Sequence, residues 1–425
     1  MRALRVLALS VALVAAFPTH DAQAQRKPAA AASELKGTVK IAWIDPLSGM
    51  MAPVGQNMIR SWQFIADIAN KEKWAGDVKF EMVPFDGKLS PQESLTVLKQ
   101  VIDQGIRYVV QGNGSGVAIA LSDAINKHNE RNPGKEIVFL NYAAVDPSLT
   151  NERCNFWHFR MDINADMKME ALTAYMEKNK DIKKVYVINQ DYAFGRAVDK
   201  AAADYLAKKR PDVQIVGREF HPLAQVRDFA PYVAKIKAAG ADTIITGNWG
   251  SDLALMIRAA KDAGLNANFY TYYAGTTGVP TAMGAAGAEH VKMVSNWVPA
   301  ASPQAEGLVT GFKKKFNDDY YTMQTHAAIT MLSQAMKKAN STDPVKVAFA
   351  MEGLHFDTLN GEAEMRATDH QLQQNVFIST WSKVDGKKVK FDQENTGYGW
   401  RIDTKLDSYV AAQPTSCKMS RPAKP

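Results

Sequence analysis

The order in which apolar periods change along the chain restricts its fold more than any other feature. Residues 38–45 form a short continuous apolar run, and 55–72 set Met58, Trp62, Ile65 and Ala69 on one helical face. A strand-like run returns at 78–85. Ser90-Pro91-Gln92-Glu93 then combines a capping box with proline at the first helical position, and Leu95, Leu98 and Ile102 line one side of the following helix. A strand over 106–111, a helix over 115–129 and a strand over 136–141 complete the round. Strands that alternate with helices in this way pair in parallel and are covered on both faces.

A second round follows. The pattern predicts helices over 165–178, 195–209, 228–239 and 251–263, with strands over 184–189, 213–220, 242–246 and 268–273. Gly240 and Gly264 stand at helix ends, where a left-handed residue closes the last turn. Two successive units of similar size predict two lobes of similar architecture. Helices over 303–320, 325–339 and 343–352 and strands over 361–366 and 375–384 come next, and the tail from Asp385 reads as irregular and polar. A length of 425 residues suits two or three domains. Ligands of open α/β sheets lie beyond the carboxyl ends of the strands, which selects the loops 45–55, 112–116, 141–148, 190–195, 247–250 and 273–278.

Arg2 and Arg5, an apolar run over 6–17 and Ala22-Gln23-Ala24 have the layout of a secretory signal peptide over 1–24. The run is shorter than the ~20 residues of a membrane span. Residues 25–37, with Ala29 to Ala32, read as a flexible leader, and the mature protein is expected in the periplasm. The net charge of +7 raises nucleic acid as a partner, but bases and acids interleave over 178–184 and 313–319, so a solvated basic surface is the better reading. Cys154 and Cys417 are the two cysteines. An even count in an exported chain invites a disulfide that would anchor the tail, with two free thiols as the alternative.

Catalysis finds little support. The eight histidines stand singly, without the paired spacing of a metal site, and no G-x-S-x-G elbow occurs. Glu362 and Glu364 alternate on an expected strand and read as a solvated face. Gly112, Gly114 and Gly116 lack the later glycine of a dinucleotide fingerprint. No enzyme activity, metal or cofactor is expected.

Six stretches stand in order along the chain: Ile41-Ala-Trp-Ile-Asp-Pro-Leu-Ser-Gly49 with Gly55, Gln111-Gly-Asn-Gly-Ser-Gly-Val117, Asn141-Tyr-Ala-Ala-Val-Asp-Pro-Ser-Leu-Thr150, Gln190-Asp-Tyr-Ala-Phe-Gly195, Lys235-Ile-Lys-Ala-Ala-Gly-Ala-Asp242 and Leu354-His-Phe-Asp-Thr-Leu-Asn-Gly361. Through them the chain, from about 39 to 383, resembles the branched-chain amino acid receptors, type I periplasmic binding proteins of ABC transporters (the leucine/isoleucine/valine-binding family). The resemblance implies an α/β fold of two Rossmann-like lobes joined by three crossovers, near 159–160, 296–297 and 374–375. Lobe one would comprise 38–158 and 298–374, lobe two 159–297 and 375–384, and 385–425 a C-terminal extension. It also implies a monomer that closes on a small molecule by hinge motion and delivers it to an inner-membrane permease and its ATPases.

Positions that match the family's ligand contacts are Gly114, Ser115, Ala143, Val145, Phe194, Trp249 and Tyr273, or Tyr272 beside it. Ser115 and the amides after it suit an anion at a helix N-terminus, although Ser is also a frequent N-cap. Val145 replaces the family's threonine, and Tyr273 stands at or next to an acid that pairs with an ammonium. Without that acid an α-amino acid loses its strongest partner, and the three aromatic residues offer flat apolar walls. The expectation is a small carboxylate with an apolar or aromatic body. Asp45 or Asp191 could still supply an ammonium partner, which keeps branched-chain amino acids open. A sensory receptor for a membrane signalling partner is the rival role, since the fold serves both.

Overall fold

The computed structural model describes residues 35–425 except Met323. The expected signal peptide and residues 25–34 of the leader lie outside the described residues, and Lys36 and Gly37 of that leader already belong to the first strand. The chain then runs β1 (Lys36–Asp45), α1 (Ala52–Lys71), β2 (Asp77–Asp86), α2 (Pro91–Asp103), β3 (Tyr108–Gln111), α3 (Ser115–Arg131), β4 (Val138–Asn141) and β5 (His158–Arg160). All five strands are parallel, in the order β2-β1-β3-β4-β5. Ile41, Ala42, Trp43 and Ile44 are fully buried, as a strand covered on both faces requires. Ser90 caps α2 by accepting from the Glu93 amide, with Pro91 opening the helix.

The second lobe repeats the scheme with α4 (Ala165–Met176), β6 (Lys184–Gln190), α5 (Ala193–Lys209), β7 (Gln214–His221), α6 (Ala230–Ala238), β8 (Thr243–Thr246), α7 (Gly250–Asp262), β9 (Asn268–Thr271), α8 (Val279–Met283) and β10 (Val291–Ser295). The chain then returns to the first lobe, where α9 (Pro303–Phe316) and α10 (Gln324–Ala339) pack on α1 and the turn after it, through Phe64 against Phe312 and Phe316 and through Trp74 against His326. After α11 (Pro344–Met351), the strands β11 (His355–Thr358), β12 (Gly361–Met365) and β13 (Leu372–Gln373) form a small antiparallel sheet. A last passage leads to β14 (Val376–Lys383) and β15 (Tyr398–Leu406), which complete a seven-stranded sheet in the order β15-β14-β10-β9-β8-β6-β7. The fold is the two-lobed α/β architecture that the resemblance implies.

One departure matters for function. The tail from Asp385 is not irregular throughout: it contains β15, nine residues antiparallel to β14. Its polar residues hid it, but Trp400 is buried against Trp381 at a ring separation of 5.2 Å. At the start of β15, Gly399 lies so near the Phe391 carbonyl that a Cβ would sit 2.0 Å from the oxygen. Beyond β15, Cys417 is joined to Cys154, and Thr415 donates to the Thr150 carbonyl at 2.7 Å, so the end of the chain lies along the first lobe.

Candidate ligand-binding cleft

The first wall is built on Asp45, the last residue of β1. Its buried carboxylate accepts from the amides of Gly112 (3.0 Å) and Asn113 (2.7 Å) and from the Tyr142 hydroxyl (2.5 Å). Burial nevertheless outweighs these bonds and pushes its carboxyl up to about 7. The loop is tight: a Cβ at Gly112 would lie 2.7 Å from the Tyr142 ring, and Gly114 takes φ +91, a conformation glycine adopts without strain. Helix α3 starts at Ser115, so the Ser115 and Gly116 amides have no carbonyl one turn back to meet. They sit at the positive end of the helix dipole. Ser115 is not the cap: its hydroxyl accepts from the Asp146 amide at 3.2 Å and ties this loop to the next. There the Asn141 side chain grips both polar groups of Ala144, at 2.8 Å each, between Ala143 and Val145.

The facing wall comes from the ends of β6, β8 and β9. Trp249 donates from Nε1 to the Tyr192 hydroxyl at 2.9 Å, and Phe194 lies 5.8 Å from the rings of both Tyr272 and Tyr273. Tyr272 is anchored through its hydroxyl to the Ala165 carbonyl at 2.7 Å. The two walls enclose a cavity of about 850 Å³, its mouth included, and all eight expected residues line it: Gly114, Ser115, Ala143, Val145, Phe194, Trp249, Tyr272 and Tyr273.

Sequence reading missed the charged pair of this cavity. Asp162 and Lys168, each 1% exposed, form an ion pair at 3.0 Å. The Tyr273 hydroxyl donates to the second Asp162 oxygen at 3.2 Å, with the Ala143 carbonyl 3.4 Å away, and Lys168 Nζ lies 5.0 Å from the Tyr273 ring centre. The available signal was a lysine among Met167, Met169, Ala171 and Leu172, all buried in α4. The acids considered as ammonium partners lie elsewhere. Asp45 sits beneath the loop it holds, and Asp191 pairs with Arg196 at 2.6 Å on the surface. Trp297, Tyr321, Gln393 and Trp400 also line the cavity, the last two from the segment read as an irregular tail.

The lobes meet at the mouth. Ser251, in the first turn of α7, donates its hydroxyl to the Met50 carbonyl at 2.6 Å. Next to it Gly250, at φ +56, approaches Met51 so closely that a Cβ would lie 2.7 Å from the sulfur. These contacts join the two lobes at one edge of the mouth.

Residues 38–388 match the family described as periplasmic binding protein. Leu/Ile/Val-binding protein homolog 4 of Brucella melitensis is 30% identical over 408 residues, 93% of this chain and 95% of that protein. The closed crystal structure of a leucine-, isoleucine-, valine-, threonine-, and alanine-binding protein from Brucella ovis is similar at TM-score 0.80 and 28% identity, covering 91% of this chain and 100% of that one. An ABC transporter solute-binding protein of Rhodopseudomonas palustris, in complex with 3,4-dihydroxybenzoic acid, shares the fold at TM-score 0.74 and 20% identity, covering 87% and 98%.

Proposed function

This chain belongs to the periplasmic binding protein family, and on that footing we propose that it captures a small carboxylate with an apolar or aromatic body by closing its two lobes. The captured acid passes to the permease and ATPases of an ABC importer, with the protein acting in the periplasm as a monomer and catalysing nothing. The hinges are the three passages between the sheets.

The observation that carries this reading is the state of Asp162. Lys168 neutralises it at 3.0 Å and Tyr273 takes its other oxygen, so an incoming ammonium must compete with a lysine already in place. Among the described residues the anion side has no such occupant: the first-turn amides of α3 favour negative charge by roughly 0.3–1 kcal/mol, more where the site is partly buried. Phe194, Trp249 and Tyr273 supply flat walls for an apolar body. In this reading Ser115 and Gly114 hold the carboxylate, while Ala143, Val145 and Tyr272 shape the pocket.

A branched-chain amino acid is the second reading. It is favoured by the same Asp162, which could accept an ammonium if Lys168 turned to the ligand's carboxylate, and by the names of the Brucella relatives. Calorimetric titration of the mature protein with benzoate and with leucine separates the two. Benzoate is expected to bind and leucine to bind at least tenfold more weakly. Tight leucine binding with no heat from aromatic acids overturns the first reading in favour of the second.

A further inference from the structure

The loop between β14 and β15 clasps both lobes. Its Glu394 accepts from the amides of Gly278 (2.6 Å) and Thr281 (2.7 Å) in the second lobe and from the Tyr321 hydroxyl (2.8 Å) on the segment before α10. The Glu394 amide in turn donates to Asp319 at 2.6 Å. This places the neighbouring Gln393 in the cavity wall, 4% exposed. Trp400 donates from Nε1 to the Gln393 side-chain oxygen at 2.7 Å. An indole N–H only donates, so the amide is fixed with its oxygen toward Trp400 and its NH2 group on the other side. Among the described residues nothing accepts from that NH2 group.

The surroundings point the same way. Asn296 and Trp297 line the cavity on the segment after β10, and their side-chain N–H groups are buried without an acceptor among the described residues. Gln324 donates to the Asn296 oxygen at 2.6 Å, which fixes that amide as well. The two carboxylates of the clasp are engaged elsewhere: Glu394 by the donors named above, and Asp319 by the Glu394 amide and by Lys313. Donors left unpaired in a dry space are costly, so a group that meets them gains affinity. Among the described residues no hydrogen bond connects this wall with the loop at 112–116.

We propose that Gln393 is a specificity-determining residue that donates from its amide nitrogen to an acceptor oxygen on the ligand, remote from the ligand's carboxylate. The inference rests on the carboxylate reading above and narrows it: the ligand class is acids that carry a second oxygen acceptor, as a carbonyl, hydroxyl, ether or second carboxylate.

Matched pairs of acids test this by calorimetry on the mature protein. In 4-acetylbenzoate and 4-isopropylbenzoate the shape is shared and only the first has the acceptor; 5-oxohexanoate and 5-methylhexanoate form the corresponding pair without a ring. Wild type is expected to prefer the oxygen-bearing acid by about tenfold. Gln393→Met, which has no donor, and Gln393→Glu, titrated at pH 8 and still able to accept from Trp400, should each bring the preference within about twofold. Equal wild-type affinities within a pair, or a preference that survives both variants, overturns the assignment of Gln393 alone. No binding of any of the four acids overturns the carboxylate reading, and this inference with it.

Discussion

Asp45 shows how one side chain can support a candidate cleft without lining its cavity. It holds the loop of Gly112 and Asn113 from below. Its carboxyl is raised to about 7 in the fold against an ordinary 3.8, so between those values the folded chain keeps a proton that the unfolded chain has released. The resulting stabilisation is complete below pH 4 and is lost as pH rises through 7. Urea unfolding at pH 5 and pH 8 should therefore show the advantage of wild type over Asp45→Asn shrinking at the higher pH. A difference that is flat or grows with pH contradicts this account. Lys168 makes the complementary case. Lys168→Met leaves Asp162 buried without its cation and should lower stability by about 3–5 kcal/mol, measured by the same melts. Neither role was legible in the sequence, because burial and charge pairing are decided by residues far apart in the chain. The loops that carry the eight cleft residues could be named because strand ends can be read from apolar period, whereas the residues themselves came from the family resemblance.

Among the elements, the first turn of α7 bears directly on closure. Ser251 bonds to Met50 of the other lobe, and Gly250 permits the approach. The bond exists only when the lobes meet, so its loss should act on the balance of open and closed forms rather than on folding. Ser251→Ala is expected to weaken ligand binding about three- to tenfold in calorimetry, with the melting temperature of the ligand-free protein unchanged. Gly250→Ala should weaken binding further, since it also places a Cβ at φ +56. The hairpin of β14 and β15 is the element that sequence reading misjudged. Its second strand mixes Arg401, Asp403 and Lys405 with Trp400 and Ile402, and its stability comes from pairing with β14 rather than from an apolar run.

At the scale of the molecule, the Cys154–Cys417 bridge joins positions 263 residues apart and fastens the chain's end to the first lobe. Hydrogen bonds from Thr415 to Thr150 and from Arg366 to the Gln413 carbonyl share that task. Reduction should therefore lower stability by about 2–4 kcal/mol without unfolding the protein. Urea melts with and without reductant check the size, and a non-reducing peptide map should contain the linked 154–417 peptide. Under the proposed hinge motion, fastening the tail to the first lobe leaves the second to move, and the clasp of Glu394 across both lobes opens and re-forms with each ligand.

The sequence by itself determined the two-lobed α/β fold and the set of loops from which a cleft is built. Both depend on local period: an apolar run flanked by helices has few ways to be buried other than a covered parallel sheet. Tertiary structure alone decided the chemistry of the cleft. It paired Asp162 with Lys168, placed Asp45 beneath a loop rather than within the cavity, and brought Gln393 and Trp400 in from a segment that reads as a tail. Such features depend on which distant groups share a dry space, because there an unpaired charge or donor is too costly to leave alone, and no local pattern records which partner will meet it.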